Sequence, residues 1–264
     1  MSIFKKAAKD ASKTTGNLVG NMASVNVQNS TNAAVDGMDL FRWKMGTPII
    51  QNGHFDQQKG NLFEYIEAAK FNADAAGKGM SARAVVTDVY DQGAAADILI
   101  KEGGKVQKEV QAKFVKSSNK DVENSAARSV FDQAGGQKGH WGKYKGMDRL
   151  IRKDEHYNAE GSMLDEAKKL AKSRAESGSI HAEDFKDVHE HLTDELHYGD
   201  ASSGGTTFEE VQMAYESPEK YAKAFERKAV KAEMKCTTAN MAKASFDIVN
   251  IGLHFFLKDV RPML

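Results

Sequence analysis

Asp97 to Lys116 reads DILIKEGGKVQKEVQAKFVK, and this stretch decides the fold. Its opening DILIK is apolar and rich in isoleucine, Gly103-Gly104 is a two-residue hairpin signal, and the residues after it alternate strictly. Val106, Lys108, Val110, Ala112 and Phe114 fall on one face, and Lys105, Gln107, Glu109, Gln111, Lys113 and Val115 on the other. A side-chain period of two belongs to a strand. The spacing predicts two antiparallel strands, over 97–101 and 105–116, joined by a tight turn.

Working outward, ARAVVTDVY (Ala82 to Tyr90) reads as a preceding strand, with a turn at Gln92-Gly93. Before it, Gly60 to Gly79 carries Leu62, Phe63, Ile66, Ala69 and Phe71 at helical spacing and stops at Gly77-Lys78-Gly79. Further upstream, 16–36 reads as loop with a weak strand over 23–27, and DLFRWKMGTPII (39–50) is expected to pack on the core. Downstream, the glycines of 119–146 signal loop. Helical patterns then cover 163–176, 182–196, 208–215, 218–235 and 238–260. The tract YGDASSGGTT (198–207) reads as a linker. The expectation is an α/β protein with an N-terminal arm and packing segment (1–59), an α/β core (60–160) and a mostly helical region (161–264).

The chain has 264 residues and a mass of 29.0 kDa, with 37 basic and 37 acidic side chains. Neutrality does not mark a nucleic-acid binder, so any such surface must be a local patch. The single cysteine, Cys236, excludes an internal disulfide and a cysteine-based zinc site, which fits a reducing compartment. The most apolar segment, 241–260, is interrupted by Lys243, Asp247, His254 and Lys258 and reads as a buried helix or subunit contact. SIFKKAAKDASK at the N-terminus has charges with no apolar stretch after them, so it reads as a surface helix or arm. These features predict a cytoplasmic protein.

Four residues around the hairpin suit phosphodiester hydrolysis. That reaction needs an activated water and a stabilised leaving oxygen, which a hard divalent cation held by carboxylates supplies, with a lysine to offset charge on the phosphate. Asp97 opens one strand, and Gln111 and Lys113 leave the same face of the next. Glu64, on the upstream helix, is able to point at the same edge.

GNLFE (Gly60 to Glu64), ADILI (Ala96 to Ile100) and VQAKF (Val110 to Phe114) together resemble the PD-(D/E)xK, or restriction-endonuclease-like, nuclease superfamily. They are most similar to its Mrr-like and Holliday-junction-resolvase-like branches, which carry a Q-x-K motif. The resemblance spans a fifth to a quarter of the chain. It implies an αβββαβ core followed here by the helical region, and a Mg²⁺- or Mn²⁺-dependent endonuclease acting on DNA in defence, repair or mobile-element biology. It implies Asp97, Gln111 and Glu64 as metal-site residues and Lys113 as the catalytic lysine. Ala96 replaces the proline of the motif. Gln111 replaces an acidic residue, so the site has one carboxylate fewer, which Glu109 or Glu67 would have to restore.

KGHWGKYKGMDRLIRK (138–153) interleaves Lys138, Lys143, Lys145, Arg149, Arg152 and Lys153 with Trp141 and Tyr144. Cations for phosphates and flat rings for stacking suit a nucleic-acid surface, and the first five of these cations are its expected DNA contacts. HEHLTDELH (189–197) lacks the H-E-x-x-H spacing, since helical His189 and His191 diverge by about 200°. No G-x-x-x-x-G-K-[ST] phosphate loop is present. The C-terminal helices are candidates for a homodimer or partner contact. The residues leave open a non-catalytic nucleic-acid-binding or interaction protein that keeps the fold, and a helical adaptor in which the motif is accidental.

Overall fold

The computed structural model describes residues 41–45, 54–89, 94–115, 122–123, 126, 144–154, 162–178 and 181–227. The expectations for 1–40, for Lys138, Trp141 and Lys143, and for helices beyond residue 227 lie outside them.

Helix α1, Phe55–Gly77, starts ahead of the expected Gly60, so the division at 59/60 falls inside a helix. Gly60 is tolerated there because it meets nothing that would need a side chain or forbid one. Leu62, Phe63, Ile66 and Phe71 are wholly buried, as is Phe41 of the helical residues 41–45. That segment packs on the core, as 39–50 was expected to.

Strand β1 is Arg83–Val86, β2 is Ile98–Glu102 and β3 is Lys105–Lys113. They form an antiparallel meander, with Ile98 opposite Val110 and Glu102 opposite Lys105. The hairpin needs its glycines: Gly103 and Gly104 have φ of 57° and 78°, the left-handed region that β-carbons disfavour. Expected strand 82–90 ends early, because 87–89 turn into a short 3₁₀ segment.

Strand β4, Asp148–Ile151, pairs parallel with β3, setting Gln111 opposite Arg149 and Lys113 opposite Ile151. Helices α2, Met163–Glu176, and α3, Ala182–His191, follow. Helix α2 starts where expected, because the Ser162 hydroxyl accepts the Asp165 N–H at 3.1 Å. Helix α3 does not run to Leu196. It ends at His191, and Leu192–Thr193 (β5) joins the sheet parallel to β4. Phe185, Val188 and Leu192 keep helical spacing, but burying Leu192 in the sheet and bonding the β4 edge outweighs one more helical turn.

The sheet order is thus β1-β2-β3-β4-β5. Val110, Ala112 and Leu150 pack in the cluster with α1, while Ile151 packs with Met163, Ala167, Val188 and Leu192. Adjacent residues Leu150 and Ile151 therefore face opposite layers, with α1 on one side of the sheet and α2 and α3 on the other.

The tract 198–207 is not an open linker. It forms a small hairpin, β6 (His197–Tyr198) with β7 (Ala201–Ser202), stitched to α1. The Ser202 N–H donates to Asp74 at 2.8 Å, Ser203 donates to the Glu67 carboxylate, and Lys70 reaches the Gly205 carbonyl. Helix α4, Phe208–Glu216, follows and lies against α1. Beyond residue 160, β5 belongs to the sheet and α4 lies against α1. No helix among the described residues is long and apolar enough to cross a membrane.

Candidate active site

Asp97 stands one step before β2. Its N–H donates to the Val110 carbonyl at 2.9 Å, and its carboxylate accepts the Ala112 N–H at 2.8 Å. The Thr87 hydroxyl, 2.7 Å from the Ala96 carbonyl, and the Thr87 N–H, 2.9 Å from the Asp97 carbonyl, tie down the same turn. Ile98 stands opposite Val110, and the two bonds of Asp97, to the Val110 carbonyl and from the Ala112 N–H, place it beside the end of β3 that carries Gln111 and Lys113. The hairpin therefore holds Asp97 rigidly where the spacing placed it.

Glu64 comes to this edge from α1. It keeps some accessible surface as a residue, but its carboxyl end is largely enclosed. Burial pushes that carboxyl well above the usual carboxylate range, and the Asp97 and then the Asp88 charges push it further; Lys113 and Lys44 act in the opposite sense. Glu64 therefore lies close enough to feel the Asp97 and Lys113 charges.

Two members of that neighbourhood were missed. Asp88 accepts from the Tyr65 hydroxyl at 2.7 Å and pairs with Lys44, whose ammonium lies 5.3 Å from the Tyr65 ring centre. The tyrosine phenol is raised by burial first and by Asp88 second. Asp88 follows β1 in a stretch that read as strand, and Lys44 lies in the segment before α1. Neither has a spacing signal.

Gln111 departs from its expected role. It is 1 % exposed, and its Oε1 accepts from Arg149 Nη1 at 2.9 Å. The carbonyl that was to face a metal thus faces β4. Neither residue named to restore the charge absent at Gln111 is seen beside it: Glu109 is exposed, and Glu67 is wholly buried against Ser203.

The basic stretch also divides. Lys145 is exposed, as a DNA contact must be. Arg149 and Arg152 are not available as expected. Arg149 is 3 % exposed and pairs with Asp187 at 3.1 Å; Arg152 pairs with Asp154 at 2.7 Å and lies over the Phe114 and Phe208 rings. Pulling either out to reach a phosphate strands a buried carboxylate or opens a hole in the aromatic packing. His189 meets the Lys168 carbonyl at 3.1 Å and His191 the Asp187 carbonyl at 2.9 Å.

Comparison with protein-family models, curated proteins and solved structures found no match.

The roles of these residues therefore rest on geometry and chemistry. Among the described residues, no group of three or more His, Cys, Asp and Glu side chains is arranged to hold a metal ion. A two-carboxylate edge still fits Mg²⁺, which keeps several waters and takes one or two carboxylates plus substrate phosphates. A hard cation at this edge would favour the charged form of Glu64, which burial first and the Asp97 charge second disfavour. Among the described residues, Glu64 and Asp97 are the expected donors that could hold such an ion.

Proposed function

We propose that this protein is a metal-dependent endonuclease of the restriction-endonuclease-like type that hydrolyses phosphodiester bonds in DNA. The observation that carries the reading is the open end of the β2–β3 hairpin, where Asp97, tied to the Val110 carbonyl and the Ala112 N–H, stands beside the end of β3 that carries Lys113, with Glu64 of α1 close enough to feel both charges. The order of elements supports it: a helix, three antiparallel strands, a crossover and a fourth strand parallel to the third.

In this reading Glu64 and Asp97 would hold Mg²⁺ or Mn²⁺, which when bound supplies a polarised phosphate and a more acidic water. Asp97, fixed by the Ala112 N–H, sets the position of the phosphate relative to the sheet. Lys113 orients the attacking water and offsets charge growing on the phosphate oxygens. Asp88 and Lys44 form the second bank of the site, anchored through Tyr65.

Nicking of supercoiled plasmid in Mg²⁺ or Mn²⁺ tests this. Asp97→Asn should remove cleavage while keeping an acceptor for the Ala112 N–H. Lys113→Ala should keep Mn²⁺ binding in calorimetry and lower the rate by about a hundredfold or more. A wild-type protein that binds DNA and nicks nothing with any divalent ion would replace this reading with the non-catalytic one. The turning of Gln111 toward Arg149 is the observation that favours that alternative, because it removes a ligand.

A further inference from the structure

We propose that Trp43 is a stacking platform for an unpaired base of the DNA strand bound at the candidate site, so that the protein favours single-stranded or locally unpaired DNA over continuous duplex. The proposal rests on the nuclease reading for the place of the bound phosphate, though not for the stacking itself.

The helical residues 41–45 are anchored through the side chains around Trp43. Phe41 is wholly buried and meets the Tyr221 ring at a centroid distance of 5.7 Å, and Met45 packs against the same core. Arg42 pairs with Glu226 at 2.7 Å and with Glu219 at 3.6 Å, and Lys44 pairs with Asp88. Successive helical residues turn by about 100°, which leaves Trp43 on the face opposite Phe41 and Met45. It is 58 % exposed, the largest apolar side chain left open among the described residues.

A lone exposed apolar side chain asks for no explanation in itself. Position gives this one a role. Its chain neighbour Lys44 pairs with Asp88, lies 5.3 Å from the Tyr65 ring centre and acts on the Glu64 carboxyl. The indole thus stands on the bank of the site that Lys44 and Asp88 form. A strand whose phosphate lies at Glu64 and Asp97 would carry its neighbouring bases past this bank. Tryptophan offers a broad ring with few rotatable bonds, and the turn that holds it is already fixed. Every base has a flat face to set on such a ring. In continuous duplex both faces are occupied by neighbouring base pairs, so a base is free to stack only where pairing is open.

Strand and duplex affinities test this in EDTA, where no divalent ion takes part. Binding of a short fluorescein-labelled thymidine strand and of a labelled blunt duplex is measured by anisotropy. Trp43→Ala should weaken strand binding about tenfold, the scale of stacking one base on an aromatic ring, and duplex binding by less than about twofold. Trp43→Phe keeps a ring and should hold strand affinity within about threefold of wild type. Trp43 and Trp141 are the two tryptophans of the chain. In a Trp141→Phe background the emission therefore reports on Trp43, and unlabelled strand should quench it where duplex does not.

A strand that the wild type does not bind, an unmoved strand affinity in Trp43→Ala, equal losses on strand and duplex, or an indole that the strand leaves unquenched overturns the proposal. If the wild type nicks plasmid alongside any of these, the nuclease reading survives and only the stacking role falls. A wild type that binds strand through Trp43 but neither takes Mn²⁺ nor nicks supports the stacking role and removes the nuclease reading.

Discussion

Glu67 is the residue whose environment makes the sharpest demand on solution behaviour. It is wholly buried beneath the 203–206 turn, and burial raises its carboxyl from 4.5 to about 7, with the Ser203 hydroxyl and the Lys70 ammonium partly offsetting it. The folded protein thus holds a proton that the unfolded chain releases at lower pH. The stabilisation is complete below about pH 4.5 and is lost as pH rises through about 7. The full difference is on the order of 3 kcal/mol. Urea melts between pH 5 and pH 8 should show stability falling with pH, and Glu67→Gln should flatten that fall; an unchanged slope in the variant would assign it to other groups. Asp97 makes the opposite kind of demand. Its carboxylate is the partner of a strand N–H, so Asp97→Ala should lower stability by about 1–3 kcal/mol beyond its effect on cleavage, while Asp97→Asn should not. Thermal melts of the two variants check this. Asp97 and Lys113 were legible because a tight hairpin fixes which residues share a face. Asp88 and Lys44 were not, because only the folded packing brings their separate segments to Tyr65.

Among the elements, those whose ends are fixed by local chemistry followed the pattern of residues. The β2–β3 turn needs two left-handed glycines and has them, and α2 begins at a serine that caps it. Elements decided by distant partners did not. Leu192 continues the apolar spacing of α3, yet the free edge of β4 draws it into the sheet. The polar, glycine-rich 198–207 has the composition of a linker, yet its backbone is bonded to α1 and to Lys153, whose N–H donates to the Thr206 carbonyl at 2.7 Å. Two neighbouring glycines test how tightly that tract is held. Gly205 has φ of 70°, and a β-carbon there would meet the Asp194 carbonyl oxygen at 2.5 Å; Gly204 has φ of 71° and open space. Gly204→Ala should cost about 1–2 kcal/mol from backbone conformation alone. Gly205→Ala should cost clearly more, by about 1–3 kcal/mol of overpacking. Equal losses in chemical denaturation would mean that the turn moves freely away from Asp194.

Across the whole molecule, formal charge is balanced, so attraction to DNA has to come from local arrangement. Of the five cations first expected on that surface, Arg149 and Arg152 are committed to the interior and Lys145 is exposed. Neutralising Lys145 with Lys138 and Lys143 should reduce the steepness of log affinity against log salt by up to about 0.9 per lost phosphate contact. Arg149→Gln should instead lower stability, by about 3–5 kcal/mol, through the unpaired Asp187. Duplex titrations across a salt series distinguish the two. The place of β5 carries one more consequence. A polypeptide ending at residue 160 would keep the β1–β4 sheet and lose the segment that covers the outer edge of β4. That edge would present unsatisfied amides and carbonyls beside the uncovered Ile151, an adhesive template for other chains. The truncated protein should self-associate more strongly than the full chain in light scattering, which would make β5 a cover that the sheet cannot shed without becoming sticky.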